Sequence, residues 1–224
     1  MTRALVFDLD GVLLDSEQVW NEAKEELVRE QGGRWREDAP RSMMGMSSPE
    51  WAAYLRDELG VPLDPQAISD QVVRRLEQIY RDRLPLIDGA AEAVDRLAAS
   101  LPLGLASSSN REIIDLFLEL TGLGPRFAVT LSSEEVARGK PAPDVYLEVL
   151  RRLRADPAGS IAVEDSENGI RAAKAAGMRV VAVPNPHYPP DPAVLAHADD
   201  VVGSLHELTL KRALGRDQRS QAPE

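Results

Sequence analysis

The sequence predicts an α/β protein: a doubly wound parallel sheet with an inserted helical domain. Three observations lead there. The apolar run Ala4-Leu5-Val6-Phe7 ends in Asp8-Leu9-Asp10-Gly11, which suits a buried strand delivering two carboxylates at its carboxyl end. Residues 16–84 then carry helical periodicity without a convincing strand, a block too long for an ordinary crossover connection. From about residue 86 apolar strand-like runs alternate with helical segments, the pattern of a parallel sheet covered on both faces.

Each element has a local signal. The first helix is expected near 16–30, opened by an Asp15–Gln18 capping box and ended at Gly32-Gly33. Helices follow near 49–60, with Ser47 or Ser48 as cap and Pro49 in the first turn, and near 64–82. A helix near 88–99 precedes a strand at 103–106 and the run Ser107-Ser108-Ser109-Asn110. Next come a helix near 110–122 stopped at Gly122 or Gly124, a strand near 128–131, and a helix near 143–154. A strand at 161–163 ends in Glu164-Asp165, and Ser166-Glu167-Asn168-Gly169 opens an alanine-rich helix closed by Gly177. Final strands are expected at 180–183 and near Val201. Residues 1–15 and 85–210 thus read as the α/β core and 16–84 as the helical insert. Residues 211–224, polar and without periodicity, read as a disordered tail.

Composition narrows the function. A net charge of −11 over 224 residues disfavours a nucleic-acid backbone or an anionic membrane as partner. The absence of cysteine excludes disulfides, thiolate metal sites and a cysteine nucleophile. No apolar signal run and no stretch of transmembrane length is present, so a cytoplasmic location is expected. The histidines His187, His197 and His206 cluster late in the chain, which argues against a histidine zinc cage or a Ser-His-Asp arrangement.

The polar residues at the strand ends suggest chemistry. Asp8 and Asp10 follow the first strand, Ser107 and Ser108 the second, and Glu164 and Asp165 a later one; Lys140 lies in the loop Gly139-Lys140-Pro141-Ala142-Pro143-Asp144. Carboxylates this close either share a proton or need a cation. Without histidine or cysteine nearby, a hard divalent ion with oxygen ligands, Mg²⁺, is the candidate. A lysine ammonium, serine hydroxyls and N–H groups at a helix start suit a phosphate. Each part also has a plain structural reading: Ser107 to Ser109 as an N-cap run, Lys140 as a loop lysine, Asp165 or Ser166 as a helix cap. Their joint occurrence, in order and each at a strand end or an adjoining loop, favours phosphoryl transfer.

These four stretches, with Val163-Glu164-Asp165-Ser166 running into Gly169-Ile170, resemble the motifs of the haloacid dehalogenase superfamily over about residues 3–208. The insert is similar to the helical cap of its β-phosphoglucomutase and sugar-phosphatase branch. The resemblance implies a Mg²⁺-dependent phosphatase acting on a small phosphate ester, with a sugar phosphate as the expected substrate. It implies Asp8 as the nucleophile that forms an aspartyl-phosphate and Asp10 as general acid and base. It also implies a metal held by Asp8, the Asp10 carbonyl, Asp165 and Glu164, and phosphoryl oxygens held by Ser107, Ser108 and Lys140. Asp10 disfavours the dehalogenase branch, which lacks it, and Lys24 does not sit in the motif of the Schiff-base phosphonate-cleaving branch. A phosphomutase is the alternative, weakened because Trp20 and Ser48 stand where the mutases carry a cap histidine and arginine. A phosphate-binding protein without catalysis is a further alternative, for which Asp10 would have no use. Glu17, Trp20, Met44, Met46 and Ser47 are candidate selectors of the leaving group; Met43, Met44 and Met46 also read as packing among the insert's own helices, and Gly45 as a loop facing the site. Asp15-Ser16 and 84–87 are the expected hinges, and His187-Tyr188-Pro189-Pro190 a surface loop. A monomer is expected.

Overall fold

The computed structural model describes residues 2–43, 46–185 and 189–215. Strand β1 (Leu5–Phe7) is followed by helices α1 (Glu17–Glu30), α2 (Ala39–Met43), α3 (Ser48–Asp57) and α4 (Pro65–Asp82). Then come α5 (Ala90–Ala98), β2 (Leu103–Ser107), α6 (Arg111–Thr121), β3 (Phe127–Ser132), α7 (Asp144–Leu153), β4 (Ile161–Glu164) and α8 (Glu167–Ala175). The chain continues through β5 (Arg179–Ala182), α9 (Pro192–Leu195), β6 (Asp200–Val201) and α10 (Leu210–Ala213).

The strands form one sheet in the order β3-β2-β1-β4-β5-β6, every neighbouring pair parallel. Strand β1 is central, and the order reverses across it, which is where open α/β sheets bind ligands. Period-two alternation divides the buried side chains between two layers. Leu5, Phe7, Leu103, Leu105, Ile161 and Val163 pack on one face with α5 and α6, while Ala4, Val6, Ala106, Ala162 and Val180 pack on the other with α7 and α8. The buried side of α1 to α4, including Leu27, Leu55, Ile68 and Leu76, is continuous with the first of these layers.

The two connections between the sheet and α1–α4 run side by side. The Asp15 N–H donates to the Pro85 carbonyl at 2.8 Å, the Ile87 N–H to the Leu13 carbonyl at 3.0 Å, and Leu14 bridges Leu86 in antiparallel fashion.

Three local expectations change. The first helix has Ser16, not Asp15, at its N-cap, and the Ser16 hydroxyl is drawn away to the Asp10 carboxylate. The short helices α2 and α9 had no sequence signal, since one turn carries no readable period. Residues 211–213, expected in the tail, instead belong to α10, which is anchored by a fully buried Ala213 and by its carbonyl accepting from the Arg179 guanidinium. The expectations placed on Met44, Gly45, His187, Tyr188 and 216–224 lie outside the described residues. Among the described residues no helix is long and apolar enough to cross a membrane.

Candidate active site

Parallel neighbours of β1 bring the polar strand ends together. The Asp8 N–H donates to the Val163 carbonyl, placing Asp8 beside Glu164 and Asp165, and Lys140 reaches in from the loop before α7. The Lys140 ammonium donates to Asp8 Oδ1 at 2.7 Å, to Glu164 Oε1 at 2.6 Å and to the Ala106 carbonyl at 3.1 Å. All of these side chains are buried. Carboxylate oxygens of Asp8, Glu164 and Asp165 lie within 4.8 Å of one another.

Glu164 is fully engaged by protein donors. Its Oε1 also accepts from the Tyr146 hydroxyl at 2.6 Å, and its Oε2 from the Asp165 N–H and the Ser166 hydroxyl, both at 3.2 Å. Tyr146 was not foreseen; its position on α7 is brought to Glu164 by the packing of that helix on β2 and β3.

Asp10 lines the same cleft but has a separate set of partners. Its Oδ1 accepts from the Ser16 hydroxyl at 2.6 Å and the Trp20 indole N–H at 3.2 Å, and its Oδ2 from the hydroxyls of Ser109 at 2.5 Å and Ser107 at 3.3 Å. Ser107, expected at the phosphate, is fully buried and spends its hydroxyl on Asp10 while accepting from the Ser109 N–H. Ser108 lines the cleft, as do Asp8, Asp10, Lys140 and Asp165. Ser109, next to Ser108 in the same run, is a further cleft residue whose role as a donor to Asp10 the serine run alone does not reveal.

Electrostatics follow from burial. Asp8 is pushed up to about 8 by burial, opposed by Lys140 and aided by Glu164 and Asp10. Asp165 is pushed well above the carboxylate range by burial and then by Glu164. Burial works against the Lys140 charge, but Asp8 and Glu164 outweigh it and raise the lysine above its ordinary value. Two acids reluctant to ionise beside a third are a site short of positive charge, and an all-oxygen donor set of this kind fits a hard divalent cation.

The cleft, about 840 Å³ counting its open mouth, is roofed by side chains of the helical segment. Glu17, Trp20 and Met46 line it, together with Met43, Lys24 and Trp51, which the sequence did not single out for this place. Ser47 does not line it; its N–H and hydroxyl both donate to Glu50 at the start of α3. Trp20 meets Trp51 edge-on at 5.9 Å. Glu17 is raised to about 7 by burial and then by Asp10, and Lys24 is lowered to about 8 by burial, with Asp10 and Glu17 opposing.

Gly11 holds the turn after β1. Its φ is +76°, and a Cβ there would stand 1.9 Å from Asp165 Oδ2. Gly11→Ala is therefore expected to cost about 2 kcal/mol or more and to displace Asp165. Gly32→Ala, at φ +75° with open space around it, should cost only about 1 kcal/mol. Denaturant unfolding of the two variants checks the difference; equal losses would show that Asp165 is not in the way.

Ionisable side chains gathered and buried at one sheet edge do little for stability, and they mark an enzyme of the open α/β class. More particularly, the chain belongs to the haloacid dehalogenase-like hydrolases, whose family model matches residues 5–183. Hexitol phosphatase B of Escherichia coli (strain K12) is 34% identical over 218 residues, covering 95% of this chain and 96% of its own. Protein CbbY of Rhodobacter capsulatus is 37% identical over 194 residues, covering 82% of this chain and 86% of its own. The crystal structure of CbbY from Rhodobacter sphaeroides in complex with phosphate matches with a TM-score of 0.85 at 28% identity, covering 96% of this chain and 100% of that one.

Proposed function

We propose that the protein is a divalent-cation-dependent phosphomonoester hydrolase acting on a small phosphorylated metabolite, a sugar or polyol phosphate. The observation that carries this reading is the buried Lys140 ammonium joined to Asp8 and Glu164 with Asp165 alongside, facing the separately hydrogen-bonded Asp10. In this reading Asp8 attacks the phosphorus, the ester P–O bond breaks, and an aspartyl-phosphate forms. Asp10 gives its proton to the departing alkoxide, then takes one from the water that displaces phosphate from Asp8. The four donors around Asp10 fix its carboxyl at a distance from the nucleophile's own contacts, so the two roles do not compete. Lys140 and Ser108 hold the phosphoryl oxygens.

Mg²⁺ is the proposed metal, bound by Asp8, Asp165 and the Asp10 main-chain carbonyl; when bound it neutralises phosphoryl charge and keeps Asp8 ionised. Glu164, whose oxygens are taken by Lys140, Tyr146 and Ser166, is assigned to orienting Lys140 instead. Residues 16–84 are assigned as a cap that closes over 1–15 and 85–210 and excludes water, hinged at Asp15-Ser16 and 84–87.

Phosphate release from a panel of sugar and polyol monophosphates, with and without Mg²⁺, tests the reading. Chelation is expected to abolish release and Mg²⁺ to restore it; turnover undiminished by chelation would remove the metal from the proposal. Isomerisation of a sugar phosphate with little free phosphate would favour the mutase. Because a proton must leave Asp8 before a cation binds, Mg²⁺ should raise the thermal midpoint more as pH climbs toward about 8. A Mg²⁺ effect that shrinks over that range would contradict Asp8 as a ligand.

A further inference from the structure

Lys24 is the cationic side chain in the cleft that the proposed chemistry leaves unused. It lies on α1, is only 7% exposed, and lines the cavity across from the Asp8 and Lys140 side. Its ammonium stands 5.1 Å from the Trp20 ring centroid and 4.9 Å from that of Trp51. Among the described residues it makes no hydrogen bond or ion pair, so the two indole faces are its whole complement. An ammonium removed from water needs oxygen partners, and its three donors are left for whatever enters the cleft. The charged groups acting on it are the carboxylates of Glu17 and Asp10.

We propose that Lys24, seated beside the edge-to-face pair of Trp20 and Trp51, is a specificity residue that donates to hydroxyl groups of the leaving alcohol, with Glu17 as the matching acceptor. A hydroxyl can accept from an ammonium and donate to a carboxylate at once. A second phosphate cannot, since its dianion offers acceptors to Lys24 but no proton to the Glu17 carboxylate. The pair therefore selects monophosphates of neutral polyhydroxy alcohols over bisphosphates and over esters without hydroxyls. This rests on the phosphatase reading above.

The test compares wild type with Lys24→Met and Lys24→Arg on a hexitol monophosphate, a ketose bisphosphate and p-nitrophenyl phosphate. Methionine keeps the length and the apolar contacts of the stem. Lys24→Met is expected to lower kcat/KM for the hexitol phosphate about tenfold or more, mainly through KM, with a much smaller fall on p-nitrophenyl phosphate. Lys24→Arg should recover part of the loss. Equal falls on both esters, no fall on the hexitol phosphate, or a wild-type preference for the bisphosphate would each overturn the assignment. If wild type cleaves p-nitrophenyl phosphate, such results sink this inference alone; if it cleaves none of the three, the phosphatase reading falls and this one with it.

Discussion

Asp8→Asn is expected to lose phosphate release by about a thousandfold or more while remaining folded. The asparagine keeps the shape of the side chain and can still accept from Lys140, but its amide has no free electron pair suited to attack phosphorus. Little stability is at stake, because burial already penalises the ionised Asp8 and raises it to about 8. Removing that charge relieves Glu164 and Asp165 of a like neighbour, and Lys140 keeps its bond to Glu164. A phosphate-release assay beside a thermal melt separates the two effects. Full activity in this variant would falsify the nucleophile assignment, and loss of the folded state would make the inactivity uninformative about chemistry.

Lys140→Met is expected to damage both activity and fold. Lys140 is the only cation bonded to Asp8 and Glu164 among the described residues, at 2.7 and 2.6 Å, and all three side chains are buried. Deleting one partner of a buried ion pair costs about 3–5 kcal/mol, which in a chain of this size lowers the thermal midpoint by roughly 10 °C. The sign with pH is fixed by the direction of the carboxylate shifts. Asp8 and Asp165 sit above their unfolded values, so their protonated forms favour the folded state and that stability is lost as pH rises through the folded values. Without Lys140 both are pushed further up. The deficit relative to wild type should therefore be nearly constant below about pH 8 and widen as pH rises past it. Melts at several pH values check this, and a deficit that narrows with rising pH would show that Lys140 does not compensate these acids.

The strand ends were legible because an apolar run that stops at a charged pair combines two independent signals, burial and chemistry. Asp8, Asp10, Glu164 and Asp165 stand where such runs stop, and the parallel sheet then places them side by side. Lys140 was legible from the turn-rich frame around it. What stayed hidden depends on approach across the fold. Tyr146 reaches Glu164 only because α7 packs on the sheet, and Trp51 meets Lys24 only because α3 is folded back near α1. Ser16 could be read as near a helix start, but not as a donor to Asp10, since the turn at Gly11 brings them together. Trp20 shows the same limit: its place at the cleft is readable as that of a selector, but the commitment of its indole N–H to Asp10 is not.

The side-by-side linkers at Asp15 and Pro85 have a consequence for how such a protein diversifies. A segment that leaves and rejoins the sheet through linkers bridged to each other has neighbouring ends, so it can be lengthened, trimmed or exchanged without shifting the register of β1 against β2. Changes between those two points alter what the roof of the cleft presents, Lys24 and the tryptophans included, and leave Asp8 and its buried partners in place. What the roof offers to an incoming molecule can therefore change in one cassette of the chain, provided that Ser16 and Trp20, which hold the Asp10 carboxyl from within that cassette, are kept.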